Sequence, residues 1–157
     1  MISSSRPGTG LAAATLVAAM LAGCASTPRM SDAEKYALYE AHAGAPVSSF
    51  RYFGSLNGFT PLGDSALVIW TRPREAWLLD LSGSCPDLPY TNAIGLTSSM
   101  GRVSARFDKV LVRSFGSINI PCQIREIRPL DVKAIRAAEK QNAADAPAMD
   151  QPSDVGT

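Results

Sequence analysis

The sequence predicts an α+β fold that is mainly β: a small antiparallel sheet of five or six strands, curled or barrel-like, with a helix near each end and one disulfide. Three observations predict it. Short runs rich in β-branched and aromatic residues recur through the middle of the chain, divided by clusters of Gly, Pro, Asn and Ser. Helical spacing of apolar residues is confined to the two flanks. Two cysteines, Cys85 and Cys122, stand inside the strand-rich region.

Residues 1–23 read as an export leader. Arg6 is the one charge at the start, and an apolar stretch of about 11 residues follows, short of the ~20 a spanning helix needs. It ends in Leu21-Ala22-Gly23-Cys24, which looks like the lipobox of bacterial lipoproteins. Small residues at 22 and 23 suit entry into a peptidase, and the Cys24 thiol is the group that would take a diacylglyceryl unit. Each buried methylene contributes about 0.8 kcal/mol, and two or more chains anchor a protein stably. The expected partner of this end is therefore a membrane. Ala25 and Ser26 follow, with no aspartate after the lipidated position. That directs the expectation to the cell envelope, at the outer membrane facing the periplasm. Residues 24–30 form a tether.

The folded part is expected over residues 31–141. Ser31-Asp32-Ala33-Glu34 has the spacing of a capping box and opens a helix that Gly44 and Pro46 end near His42. Phe50 and Tyr52 alternate with Arg51, a half-buried strand pattern. Asn57-Gly58 reads as a hairpin turn. "ALVIWT" from Ala66 and "EAWLLDL" from Glu75 are strands, and the short link through Pro73 makes them antiparallel neighbours. "AIGLTSS" from Ala93, "DKVLVRSF" from Asp108 and "CQIREIRP" from Cys122 are three more. Pro129 is placed at the first turn of a second helix, with Leu130, Ala134, Ala137 and Ala138 along one side and Val132 and Ile135 close by. Residues 142–157 carry no aromatic and little to bury, and are expected to be a disordered tail.

Charge excludes some partners. Lys and Arg number 15 against 14 Asp and Glu, and Arg6 leaves with the leader, so the mature chain is balanced. Such a chain offers no footprint for nucleic acid and no polybasic patch for anionic lipid. Once Cys24 is spent on lipid, Cys85 and Cys122 remain. In an oxidising compartment two such cysteines pair. A metal pair or a redox site are the alternatives, but the chain has no C-x-x-C and His42 is its one histidine.

The sequence carries no recognisable catalytic set, and no metal or cofactor is expected. There is no G-x-S-x-G elbow, no H-E-x-x-H and no phosphate-binding glycine loop. Two clusters remain as candidate binding residues. Trp70, Arg72, Arg74 and Trp77 surround one tight turn, and arginine on tryptophan suits anions and sugars. Arg102 and Arg106 flank a loop before Asp108, with Lys109 and Arg113 beyond.

Four stretches also carry a likeness: W-T-R-P at 70–73, C-x-D-L at 85–88, F-D-x-V at 107–110 and P-C-x-I at 121–124. With their surroundings, over roughly 44–135, they resemble a domain-of-unknown-function family of small proteobacterial exported proteins and lipoproteins. The resemblance implies that Cys85 and Cys122 belong to the family pattern, which fits a structural bridge. It implies no reaction. The expectation is a non-enzymatic envelope lipoprotein, a binding or structural accessory module for an envelope protein or polymer. The alternatives are an envelope hydrolase with an Asp/Arg site assembled by folding, or a small-ligand carrier.

The anchor is directly testable. Cys24→Ala is expected to abolish palmitate labelling and to leave unprocessed precursor. Labelling that survives the substitution would refute the lipobox.

Overall fold

The strands Ala66–Arg72 and Glu75–Leu81 form a hairpin that is buried on both faces. Leu67 lies opposite Leu79, Val68 opposite Leu78 and Ile69 opposite Trp77. Successive side chains along a strand point to opposite faces, so one face collects Leu67, Ile69, Leu79 and Leu81 and the other Ala66, Val68, Ala76 and Leu78. That is why both segments read as nearly unbroken apolar runs.

The computed structural model describes residues 30–113 and 119–145. In chain order the elements are α1 (Asp32–Ala41), β1 (Ser49–Arg51), β2 (Gly58–Pro61), β3 (Ala66–Arg72), β4 (Glu75–Leu81), a 3-10 turn (Leu88–Tyr90), β5 (Ile94–Leu96), β6 (Arg102–Ser104), β7 (Lys109–Arg113), β8 (Asn119–Pro129) and α2 (Val132–Asp145). Six strands make one antiparallel sheet in the order β2-β3-β4-β8-β7-β5, curled into a nearly closed, barrel-like form. β1 and β6 form a separate two-stranded antiparallel sheet.

β8 makes the curl possible. Its first half pairs with β7 and its second half with β4. Where β7 ends its pairing, the chain around β1 and β6 takes over. Val47 N donates to Ile127 O at 2.9 Å, Gly44 N to Pro129 O at 2.8 Å and Arg106 N to Ile124 O at 2.6 Å. The interior is filled by Phe50, Leu88, Val103, Val110, Ile124 and Ile127, each at most 2 % exposed, together with the inner face of the hairpin. Cys85, in the loop after β4, is joined to Cys122 in β8 with a Cα separation of 6.1 Å, and both are buried in this core. The pairing expected from the sequence is the one observed.

Both helices lie on the other face of the hairpin. Tyr39 of α1 and Val132 and Ile135 of α2 join Leu62, Val68 and Leu78 in a second core. Burying each of the aliphatic side chains contributes roughly 1.5–3 kcal/mol. Polar contacts fix the helices in place. The Tyr36 hydroxyl donates to Asp80 Oδ1 at 3.0 Å, and Tyr39 to Glu139 Oε1 at 3.0 Å across to α2. Burial pushes both phenols up to about 12, and the carboxylate beside each adds to it. Arg128 pairs with Glu126 and with Glu40 at 3.6 Å. The hydrogen bond that Arg128 Nε donates to the Glu126 carboxylate raises its guanidinium further above the usual range. At the start of α1 the Ser31–Glu34 capping box is formed, and the backbone N–H of Ser31 lowers the Glu34 carboxyl.

Several local expectations change. Asn57-Gly58 is not a turn: Asn57 N donates to Trp70 O at 2.7 Å and Gly58 opens β2 opposite Trp70, whose ring lies 4.0 Å from where a Cβ would stand. The reversal comes later, where Leu62 N donates to Ala66 O at 2.9 Å and Gly63 takes φ +89°. Pro129 does not start the second helix but closes β8 against Trp77. Asp131 starts it, its carboxylate accepting from Lys133 N and Ala134 N at 3.0 Å each. The buried stripe of α2 is therefore Val132 and Ile135, and Ala137 is exposed. α2 also runs to Asp145, past Gln141, because Ala143 and Ala144 favour helix and the next breaker is Pro147. Residues 1–29, with the leader and Cys24, and the tail from 146 lie outside the described residues. Among the described residues no helix is long and apolar enough to cross a membrane.

Two measurements check these fastenings. Cys85→Ser is expected to lower the unfolding free energy by about 4 kcal/mol, from the loop the bridge closes. Denaturant titration reads this, and unchanged stability would contradict a structural bridge. The raised phenols set a pH window as well. A pKa raised by folding gives stability that is full below pH ~10 and is lost as pH climbs towards the folded value of about 12. A Tyr36→Phe/Tyr39→Phe variant should lose less stability over that window than the parent; parallel declines would contradict the assignment.

Candidate binding surface

The segment between β6 and β7 is a turn locked from inside. The Asp108 carboxylate, 6 % exposed, accepts from Ser104 N and from Thr97 Oγ1, each at 2.7 Å. Thr97 Oγ1 in turn accepts from Lys109 N at 2.9 Å. A buried carboxylate with donors on both oxygens is a fastener: losing it strands donors at about 1–3 kcal/mol each. It joins β5, β6 and β7.

The fastener throws two side chains outward. Arg106 takes φ +67°, a left-handed conformation that costs a non-glycine residue roughly 1 kcal/mol or more. Two bonds hold it there: its N–H donates to Ile124 O, and its carbonyl accepts from Gln123 Nε2 at 2.6 Å. Phe107 follows and stands 83 % exposed. A bare aromatic on a rigid, strained turn is an expensive arrangement with no packing return.

Beside it lies an open groove of about 490 Å3, walled by Ser48, Ser49, Arg106, Phe107, Arg125 and Glu126. Arg102 donates through Nε and Nη2 to Ser49 Oγ at 3.2 and 3.1 Å and so steadies that wall. Among the described residues neither Arg106 nor Arg125 has a carboxylate partner, whereas Glu126 is taken by Arg128. The groove thus offers an aromatic face, two available guanidinium groups and serine hydroxyls.

The expected residues divide between places. Arg102, Arg106 and Asp108 do meet around this turn, as wall support, groove wall and buried fastener. The tryptophan and arginine cluster does not hold together. Ile69 lies opposite Trp77 and Ala76 opposite Trp70, so the two indoles point to opposite faces of the hairpin. Trp77 stacks on Phe50 at 5.1 Å and 18° in the inner core, its Nε1 buried without a hydrogen-bond partner. Trp70 packs against the core beneath the helices. A bulge between Trp70 and Arg72 turns the arginine away, to Glu75 at 3.4 Å and over the Phe53 ring at 5.5 Å. Arg74 leans towards α2. Ser48, Ser49, Arg125 and the role of Phe107 escaped the sequence reading. Arg125 left a trace within the strand read from Cys122, and Phe107 within the F-D-x-V stretch. Among the described residues no group of three or more His, Cys, Asp or Glu side chains is placed to hold a metal ion.

A family model described as a family of unknown function (DUF6491) matches residues 8–146. No curated protein and no solved structure matches the chain.

Proposed function

The chain belongs to DUF6491, a family of unknown function, and on that footing we propose that it is a non-enzymatic accessory module of the cell envelope that holds a glycan strand in the Arg106–Phe107 groove. In this reading acyl chains on Cys24 tether it to the membrane, and the outer membrane is the expected site.

The observation that carries the proposal is the exposed Phe107, presented by a strained turn beside two guanidinium groups without carboxylate partners. A flat aromatic covers the apolar face of a pyranose ring, while arginine and serine donate to its hydroxyls. An open groove suits a chain that extends beyond both ends. The rival readings draw less from the same geometry. The Asp108 carboxylate needed for an Asp/Arg hydrolytic site is committed to Thr97 and Ser104. Arg72 is committed to Glu75 and Phe53. The interior a carried ligand would occupy is filled by Phe50, Leu88, Val103 and their neighbours.

Glycan strands prepared from isolated cell walls provide the test, by co-sedimentation or titration with the folded protein. Phe107→Ala is expected to weaken retention by about tenfold, the equivalent of one lost aromatic contact of ~1.4 kcal/mol. Its melting temperature should not change, because the ring packs against little. Arg106→Gly removes the guanidinium while suiting the left-handed backbone, and should weaken binding without unfolding the turn. Equal retention by parent and both variants would overturn the proposal.

A further inference from the structure

A second groove, of about 750 Å3, runs between the turn after β3 and the first half of α2. Arg74, Lys133, Arg136 and Lys140 line it, with Leu130 and Ala137 between them. Lys133, Arg136 and Lys140 are spaced by three and four residues and therefore share one side of the helix. Arg136 Nη2 donates to Pro73 O at 2.6 Å, which holds the guanidinium against the same turn that carries Arg74. Asp131 is the carboxylate at this groove, and its Oδ1 already accepts two backbone N–H groups of α2.

The concentration of charge is not forced by composition. Three other described cations are matched to carboxylates: Lys35 to Asp32, Arg72 to Glu75, and Arg128 to Glu40 and Glu126. Among the described residues none of the four cations at this groove has an ion-pair partner. Like charges at these helical spacings repel one another, and cations near the start of a helix oppose its dipole. The sequence hides the cluster, because Arg74 is remote from α2 along the chain and the overall charge balances.

The groove also has a direction. Asp32, at the start of α1, has its Cβ within 3.7 Å of the Cβ position of Gly63, in the turn before β3. At the other end of the helix, His42 O accepts from Asp131 N at 3.0 Å. The turn carrying Arg74 follows β3, about 20 Å of extended chain from the turn carrying Gly63. The cations thus lie at the end of the hairpin opposite the entry of the chain into α1.

We propose that this groove docks an acidic peptide segment of a partner protein. Carboxylates would pair with the four cations, and apolar side chains between them would rest on Leu130 and Ala137. That apolar floor is what favours a peptide over a bare phosphate chain. The chemistry is independent of the glycan reading.

The test uses the native full-length processed chain and a fluorescent peptide in which aspartate pairs alternate with leucine. Lys133→Gln/Arg136→Gln/Lys140→Gln should weaken binding at least tenfold, and Arg74→Gln alone about threefold. Raising salt from about 50 to 300 mM should weaken the parent in the same direction. Glycan retention by these variants should be unchanged, which separates failure here from failure of the first groove. Undiminished binding by the triple variant, or equal binding of the same peptide with asparagine for aspartate, would overturn the proposal. So would binding of polyphosphate without binding of the peptide. Residues 146–157 carry Asp150 and Asp154 and no Lys or Arg. Ending the chain after Asp145 should therefore leave the affinity unchanged; a marked tightening would make the chain's own tail the occupant and overturn the partner assignment.

Discussion

Everything in this domain is arranged around a hairpin with no solvent-facing side. Because β3 and β4 carry apolar residues on both faces, each face must be covered by something else. The chain solves the two faces differently. One is closed by curling the rest of the sheet around it, the other by laying two helices across it. The disulfide belongs to the first solution and the two tyrosine hydrogen bonds to the second. Removing the double burial would leave neither the curl nor the helices a reason to form.

The polar groups follow from the same constraint. A covered hairpin brings Asp80 into the second core at 4 % exposure, where the Tyr36 hydroxyl supplies its partner. Asp108 plays the matching part at the rim of the first core. With the interior closed, binding chemistry is left to the margins, and both grooves lie there. Each is edged by a turn between two strands, one by the left-handed Arg106 and the other by Pro73 and Arg74.

Much of this architecture is legible along the chain. The period-two strands, the Ser31–Glu34 cap and the cysteine pair all act through local or chemically exclusive signals. Short strands are less legible. β6 is three residues long, too short for alternation to show, and is a strand because β1 pairs with it. Gly58 misled for a related reason. A glycine that suits a tight turn also suits the shadow of a tryptophan ring, and only the partner strand distinguishes them. The candidate site was half visible. Arg102, Arg106 and Asp108 are close in sequence and meet in space. Trp70 and Trp77 are also close in sequence, yet the register of the hairpin sends them to opposite faces. Arg125, Ser48 and Ser49 come from distant segments, so no one-dimensional pattern could gather them.

The placement of β8 has a consequence for how the chain reaches this state. Its two halves supply the missing neighbour to β7 and to β4, and Cys122 lies between them. The β7 pairing is local, but the β4 pairing joins parts of the chain more than 40 residues apart, from Leu81 with Ile124 to Trp77 with Pro129, so the curl is not complete until residue 129 is available. A polypeptide emerging N-terminus first holds the β3–β4 ribbon with bare apolar flanks for most of its synthesis. Closure is a late, cooperative event governed by topology, and a nascent chain stalled anywhere upstream is a threadable polymer in need of a chaperone.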